Sequence, residues 1–338
     1  MTHPFSDVPE DGALIEVADG IFWARLPLPF QLNHVNIYFI EDGDGFAVLD
    51  TGINTAKCKQ SWAKLLAGPL QGKRLTRMIV THHHPDHIGL AGWLAKDQGL
   101  PLLTTATAYL QANALLQDHS DQVLDVHAGF FKSHGLGPEA MQMVEMLNLD
   151  YKRSVLPLPL TYLRLMQGDT LKIGQRRFQV LTADGHAPEQ AMLYLPDENL
   201  LFAADQVLAR ISPNIGVFPD SPDADPLGHY LRALRQIMAG LPDDTFVLPG
   251  HELPFYGLPR RCSELVAHHD DRCLEVLQAC ADTGKTTLEL THILFPRALD
   301  VHQMGFAFTE TLAHANRLLR RGTLRAAMQA GVQRFETV

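Results

Sequence analysis

The sequence predicts an α/β chain in which strands deliver chemistry at their carboxyl ends. Three observations predict it. Short apolar runs of strand type alternate with helix-period stretches through most of the first 255 residues. Several of these runs end directly in His or Asp. The densest such point is Thr81-His82-His83-His84-Pro85-Asp86-His87-Ile88-Gly89. It follows the apolar Met78-Ile79-Val80 and leads into Ile88, Ala91, Leu94 and Ala95 at helical spacing, up to Gly99. Open α/β sheets place their ligand sites at such strand-to-helix points.

Each element follows from local pattern. Ile21–Leu26 reads as a strand after Asp19-Gly20. Val35–Ile40 and Phe46–Leu49 flank the cluster Glu41-Asp42-Gly43-Asp44-Gly45, a hairpin signal, and the second run ends in Asp50-Thr51-Gly52. A helix from about Thr55 to Leu66 stops at Gly68. Residues 107–165 read as a helical insertion. Its Tyr109, Phe130, Phe131, Met141, Met143 and Met146 are expected to line an apolar substrate pocket. Strand texture returns with Leu171–Ile173 and Phe178–Leu181, the latter leading to His186. Ala191–Leu195 and Leu200–Ala203 follow, ending in Asp205. A helix over about Pro226–Ala239 and a strand Thr245–Leu248 lead to Gly250-His251.

After about Leu258 helices dominate. Cys262–Ala281 has helical period, Thr286-Thr287-Leu288-Glu289 fits a capping box, and Phe308–Arg321 is a third helix. Residues 324–335 read as a terminal hairpin. Three helices and a hairpin make a winged-helix-like unit, so residues 1–257 and 258–338 are expected to be separate domains. His268 and His269 read as exposed helix residues, and His34 as a hydrogen-bonded structural histidine.

Composition narrows the function. Length and a 46% hydrophobic fraction suit a folded enzyme-sized chain and exclude a disordered one. A net charge of −10 disfavours a nucleic-acid partner. From Leu258 on, ten Lys/Arg face nine Asp/Glu; Arg317, Arg320, Arg321 and Arg325 form a modest basic cluster, as the macrodipole favours at a helix C-terminus. Cys58, Cys262, Cys273 and Cys280 show no framework spacing and read as reduced thiols. No leader pattern and no membrane-length apolar run is visible. The expectation is a cytoplasmic protein with a small-molecule substrate and no membrane partner.

Strand followed by ligand-type residue recurs at Asp50, the His82–His87 cluster, His186, Asp205 and His251. Imidazole and carboxylate without thiolate suit zinc, iron(II) or manganese. In this order the elements Asp50-Thr51-Gly52, His82-x-His84-x-Asp86-His87, Gly185-His186, Asp205 and Gly250-His251 resemble the metallo-β-lactamase-fold hydrolases. The C-terminal unit resembles the winged-helix appendage of a lactamase-like subgroup near glyoxalase II.

The resemblance implies an αββα sandwich with a metal site along one sheet edge. By position it implies two divalent ions, zinc first and iron or manganese as alternatives. His82, His84 and His186 would hold one ion, and Asp86, His87 and His251 the other. Asp205 would bridge them, and Asp50 would orient a ligand from behind. Asp86 and Asp205 would be the catalytic carboxylates. Asp205, where true β-lactamases of this fold use Cys, points to the hydroxyacylglutathione-hydrolase, lactonase and phosphodiesterase branches. The Tyr/Lys/Arg set that grips glutathione in glyoxalase II is not visible.

Two ions sharing a water lower its pKa toward neutrality, giving a bridging hydroxide for attack on an ester, thioester or lactone. The competing readings are a nuclease of the same fold, a mononuclear iron dioxygenase, and a winged-helix DNA-binding regulator. The C-terminal unit is expected to close the pocket or form a homodimer contact rather than bind DNA.

Overall fold

The computed structural model describes residues 1–117 and 120–338. They pack as two compact units. The first comprises 1–117, 151–213 and 237–261. The second comprises the described part of 118–150 with 214–236 and 262–338.

The first unit is built on two sheets. One has the order β1 (Ile15–Ala18), β2 (Ile21–Pro27), β3 (His34–Asp42), β4 (Gly45–Leu49), β5 (Arg74–Ile79), β6 (Leu102–Thr105), β7 (Leu163–Leu165). The β3–β4 hairpin turns at Gly43-Asp44, where Gly43 supplies a φ of +71° that most residues resist. From β4 to β7 the pairing is parallel, which requires crossovers. Helix α1 (Ala56–Ala67) supplies the first, capped by Thr55 and ended at Gly68. The one-turn α2 (Pro85–Ile88) and α3 (Ala91–Gln98), ended by left-handed Gly99, supply the second. Helix α4 (Ala106–Leu116) follows β6.

The other sheet holds β8 (Thr170–Ile173), β9 (Arg176–Ala183), β10 (Gln190–Leu195), β11 (Leu200–Ala204) and β12 (Phe246–Pro249), in the order β12-β11-β10-β9-β8.

Strand β3 shows why the layers form. Side chains alternate faces along a strand. Val35, Ile37 and Phe39 join a core with Trp62 and Leu65 of α1, and the rings of Phe39 and Trp62 lie 5.7 Å apart. Tyr38 and Ile40 join the core between the sheets, where Tyr38 meets Phe202 of β11 at 5.2 Å. A sheet covered on both faces reads as a continuous apolar run, as Ile37-Tyr38-Phe39-Ile40 does. The fold is the αββα sandwich.

The second unit contains α5 (Asp121–Ser133), the larger parts of α6 (Ala140–Ser154), α7 (Pro226–Gly240) and α8 (Leu258–Ala279), then α9 (Thr287–Leu294), α10 (Val301–Arg320) and the hairpin β13 (Leu324–Gln329)–β14 (Val332–Thr337). The capping box forms: Thr286 Oγ1 accepts from Glu289 N, and Glu289 Oε2 accepts from Thr286 N.

Two expectations need correction. Phe131 and Met143, expected to line a substrate pocket, are 1% and 2% exposed. Phe131 packs within the second unit against Phe308 of α10. Tyr109 instead stacks on Tyr162 in the first unit and donates to Pro159 O. His269, expected on a surface, is fully buried, whereas its neighbour His268 is exposed.

A clamp joins the two sheets where β12 ends. Asn36 N donates to Gly250 O at 2.7 Å, and Asn36 Nδ2 donates to Pro249 O and Glu252 O at 3.0 and 3.1 Å. Tyr38 Oη donates to Pro249 O at 2.8 Å. Asn36→Ala removes donors from buried carbonyls, which costs about 1–3 kcal/mol. Urea denaturation should show that loss, with the slope of the transition unchanged.

Candidate metal centre

The carboxyl ends of β4, β5, β9, β11 and β12 supply the site. Behind it stands Asp50, just past β4. Its carboxylate accepts from Thr81 N at 2.9 Å and from Thr81 Oγ1 at 3.0 and 3.1 Å, and meets His87 Nδ1 at 2.8 Å. Thr51 adds a second hold on the same helix: its N and Oγ1 both donate to His87 O, at 2.9 and 2.7 Å. Sequence reading missed Thr81, which also lies 3.0 Å from His82 Nδ1 through its hydroxyl. A Thr between a strand and a His run carries no pattern of its own.

All seven residues singled out in the sequence converge. His84 Nδ1 lies 3.0 Å from His82 Nε2 and 2.9 Å from His186 Nε2. Asp205 Oδ2 lies 3.1 Å from His251 Nε2 and 3.5 Å from both His87 Nε2 and His186 Nε2. Asp86 Oδ2 lies 3.3 Å from His251 Nε2 and 3.6 Å from His87 Nε2. His83 stands between the ligand positions but joins none of these groups; its carbonyl accepts from Tyr151 Oη.

The rear nitrogens are held. His87 Nδ1 faces Asp50, and His251 Nδ1 donates to His34 O at 2.8 Å. That fixes each Nε2 toward the carboxylates, as metal-bound histidines require. His34 also accepts from Glu252 N through its Nε2 at 2.9 Å, which makes it a hydrogen-bonded structural residue as expected. Burial pushes its pKa down to about 3.

The electrostatics divide the cluster. Burial first, then the neighbouring imidazoles, hold His82 and His84 well below the ordinary histidine range, so both are neutral and present lone pairs. Burial opposes the charge on His87 and His251, but Asp205 and Asp86 override it. His251 rises to about 10 and His87 moves well above its usual value. Asp205 moves well below the carboxylate range: burial opposes ionisation, and His251 and His87 outweigh it. The buried carboxylates thus demand positive charge.

Divalent ions fit that demand. His87 Nε2 and Asp205 Oδ1 are buried without a hydrogen-bond partner. Such orphans are costly unless something binds them. Tetrahedral zinc with Zn–N of ~2.0–2.1 Å spaces its nitrogens roughly 3.3 Å apart, close to the imidazole spacing in the cluster. Three overlapping groups have donors mutually within 4.8 Å: His82/His84/His186, His82/His87/Asp205 and Asp86/His87/His251.

Backbone strain accompanies the site. Asp50, Glu189, Ala204 and Glu252 hold φ of +62°, +48°, +46° and +68°; Asp50 is the carboxylate behind His87, and the other three lie within three residues of a cluster residue. Such conformations cost about 1–3 kcal/mol each and persist where surroundings over-determine them.

Two outcomes follow. A Cβ on Gly250 would stand 2.2 Å from Asp205 Oδ1 and 3.0 Å from His87 Cε1. Gly250→Ala should therefore displace the central carboxylate and cut metal content, with circular dichroism unchanged. Asp50→Asn weakens the partner that aims His87 and should lower metal affinity about 10–100-fold by competition with a chromophoric chelator.

The site and fold have relatives. The model of the Metallo-beta-lactamase superfamily matches residues 31–251, and that of the Metallo-beta-lactamase-like, C-terminal domain matches residues 273–338. A crystal structure of a beta-lactamase domain protein from Burkholderia ambifaria superposes with a TM-score of 0.92 at 36% identity, covering 99% of this chain and 98% of that one. The Bacillus subtilis protein named "Probable metallo-hydrolase YqjP" is 22% identical over 95% of this chain and 98% of its own length. The human acyl-coenzyme A thioesterase MBLAC2 is 25% identical over 70% of this chain and 79% of its own length. With residues 31–251 and 273–338 matched by these two models, and a His/Asp cluster able to hold metal, the chain belongs to the metallo-beta-lactamase superfamily and is a metallo-hydrolase.

Proposed function

We propose that the chain is a dinuclear hydrolase, zinc-dependent, acting on small acyl esters, thioesters or lactones. One observation carries this reading: Asp205 Oδ2 stands within 3.5 Å of His87, His186 and His251 nitrogens, between two histidine-rich groups. His82, His84 and His186 would hold one ion, Asp86, His87 and His251 the other, and Asp205 both. Bound there, two such ions supply Lewis acidity and a water acidified toward neutral pH.

The chain's own carboxylates divide the remaining work. Asp205 is nearly enclosed, with 7% of its side chain exposed, which suits a positioning role. The Asp86 side chain is 20% exposed and so reaches the open side of the cluster. There it can orient an attacking water and accept its proton. No thiolate is present in the cluster, which separates this site from the Cys-bearing β-lactamases. The acyl-thioester class is supported by the human relative, which is named an acyl-coenzyme A thioesterase. Cys58, Cys262, Cys273 and Cys280 are all buried. Among the described residues no helix is long and apolar enough to cross a membrane.

The test is a substrate panel on zinc-loaded protein, with metal counted by mass spectrometry. Two ions per chain and turnover of acyl esters, thioesters or lactones over phosphodiesters are expected. Asp205→Asn should lower turnover by more than about 100-fold, the upper end for losing a partner one step further from a metal. Phosphodiesters as the best substrates, or near-native turnover by Asp205→Asn, would overturn the reading.

A further inference from the structure

The second unit carries its own group of metal-type side chains, with no member in the first. His269 of α8 and Glu310 and His314 of α10 have donor atoms mutually within 4.8 Å. His269 and His314 are 0% and 1% exposed, and Glu310 is partly buried. Glu310 and His314 are four residues apart on one helix and therefore share a face. His269 Nδ1 lies 3.2 Å from His314 Nε2, close to the spacing of two nitrogens on one tetrahedral ion.

The orientation of His314 is fixed from behind. Its Nδ1 donates to Glu310 O, the preceding turn's carbonyl, at 2.9 Å. Its Nε2 is then a lone-pair donor facing His269. A backbone carbonyl on the far nitrogen is the usual arrangement behind a metal-bound imidazole. The Glu310 carboxylate is oriented too: Oε2 accepts from Asn214 Nδ2 at 3.0 Å. A partly buried carboxylate beside two buried imidazoles is a donor set that a cation fits.

We propose that His269, Glu310 and His314 form a separate binding site for one divalent transition-metal ion, staple-like between α8 and α10. Two imidazoles and one carboxylate without thiolate suit zinc, iron(II) or cobalt(II) over calcium or magnesium. Three ligands leave room for a water or a fourth donor. The ion would tie two helices of the C-terminal unit and take no part in hydrolysis.

Cobalt(II) titration tests this in the full chain with both catalytic metal positions disabled by His82→Ala/His84→Ala/His87→Ala/His186→Ala/His251→Ala. One equivalent should still bind with visible d–d absorption of a low-coordinate site. Adding Glu310→Gln, which preserves shape and the Asn214 contact, should weaken that binding at least tenfold, and adding His314→Gln should abolish it. In the otherwise native chain, Glu310→Gln should reduce bound zinc by one ion whatever the catalytic cluster holds. Cobalt binding and zinc content unchanged by Glu310→Gln would overturn the proposal, and it would leave the reading of the catalytic cluster untouched.

Discussion

The enclosed carboxylate of Asp205 is the group on which the first unit depends. A carboxylate removed from water must be met by opposite charge or by donors, because the alternative costs several kcal/mol. Here the nearest groups are imidazoles from three separate chain segments. Each is aimed by a second contact: Asp50 behind His87, the His34 carbonyl behind His251, and the loop after β9 carrying His186. The strained backbone at Asp50, Ala204 and Glu252 is what lets strand ends turn sharply enough to present these groups together. Glycine at 250 is the counterpart of that strain. Its missing side chain is the space the carboxylate occupies.

Much of this was legible in the residues alone. The ligand-type residues stand at strand ends in a fixed order, and strand ends are recognisable because buried strands are apolar runs that stop at polar residues. The hairpin at Gly43, the stop at Gly68 and the Thr286 capping box depend on local chemistry, and local chemistry is what a sequence displays. What failed was exposure. His268 and His269 are adjacent on one helix and look alike in sequence. Partners far along the chain, His314 of α10 and Tyr230 of α7, decide which one is buried. Phe131 and Met143 fail for the same reason: an apolar stripe shows that something covers it, and the partner lies far along the chain. Thr81 could not be singled out, since its importance comes from Asp50, thirty-one positions earlier.

The two sheets have different tasks. The seven-stranded sheet carries the His82–His87 loop on its parallel half, where crossover helices force the chain to leave and re-enter at the sheet's end. The five-stranded sheet contributes Asp205 and His251 from β11 and β12, its one parallel pair. Both parallel pairings therefore point their carboxyl ends at the same volume. The sandwich is mostly antiparallel elsewhere; of those strands β9 leads to His186, and the rest mainly supply core.

The clamp from Asn36 and Tyr38 to the end of β12 bears on the order in which the molecule assembles. The cluster draws on positions from 82 to 251, and its last member is seated by contacts back to β3, more than two hundred positions upstream. Contacts of such sequence separation form late, after the loop-closure entropy of the intervening chain has been overcome. During synthesis, a chain that has emerged only through Asp205 already contains His82, His84 and His186 but lacks β12 and His251. Among the segments that build the centre, β12 is the last in the chain, and its clamp to β3 makes it the keystone.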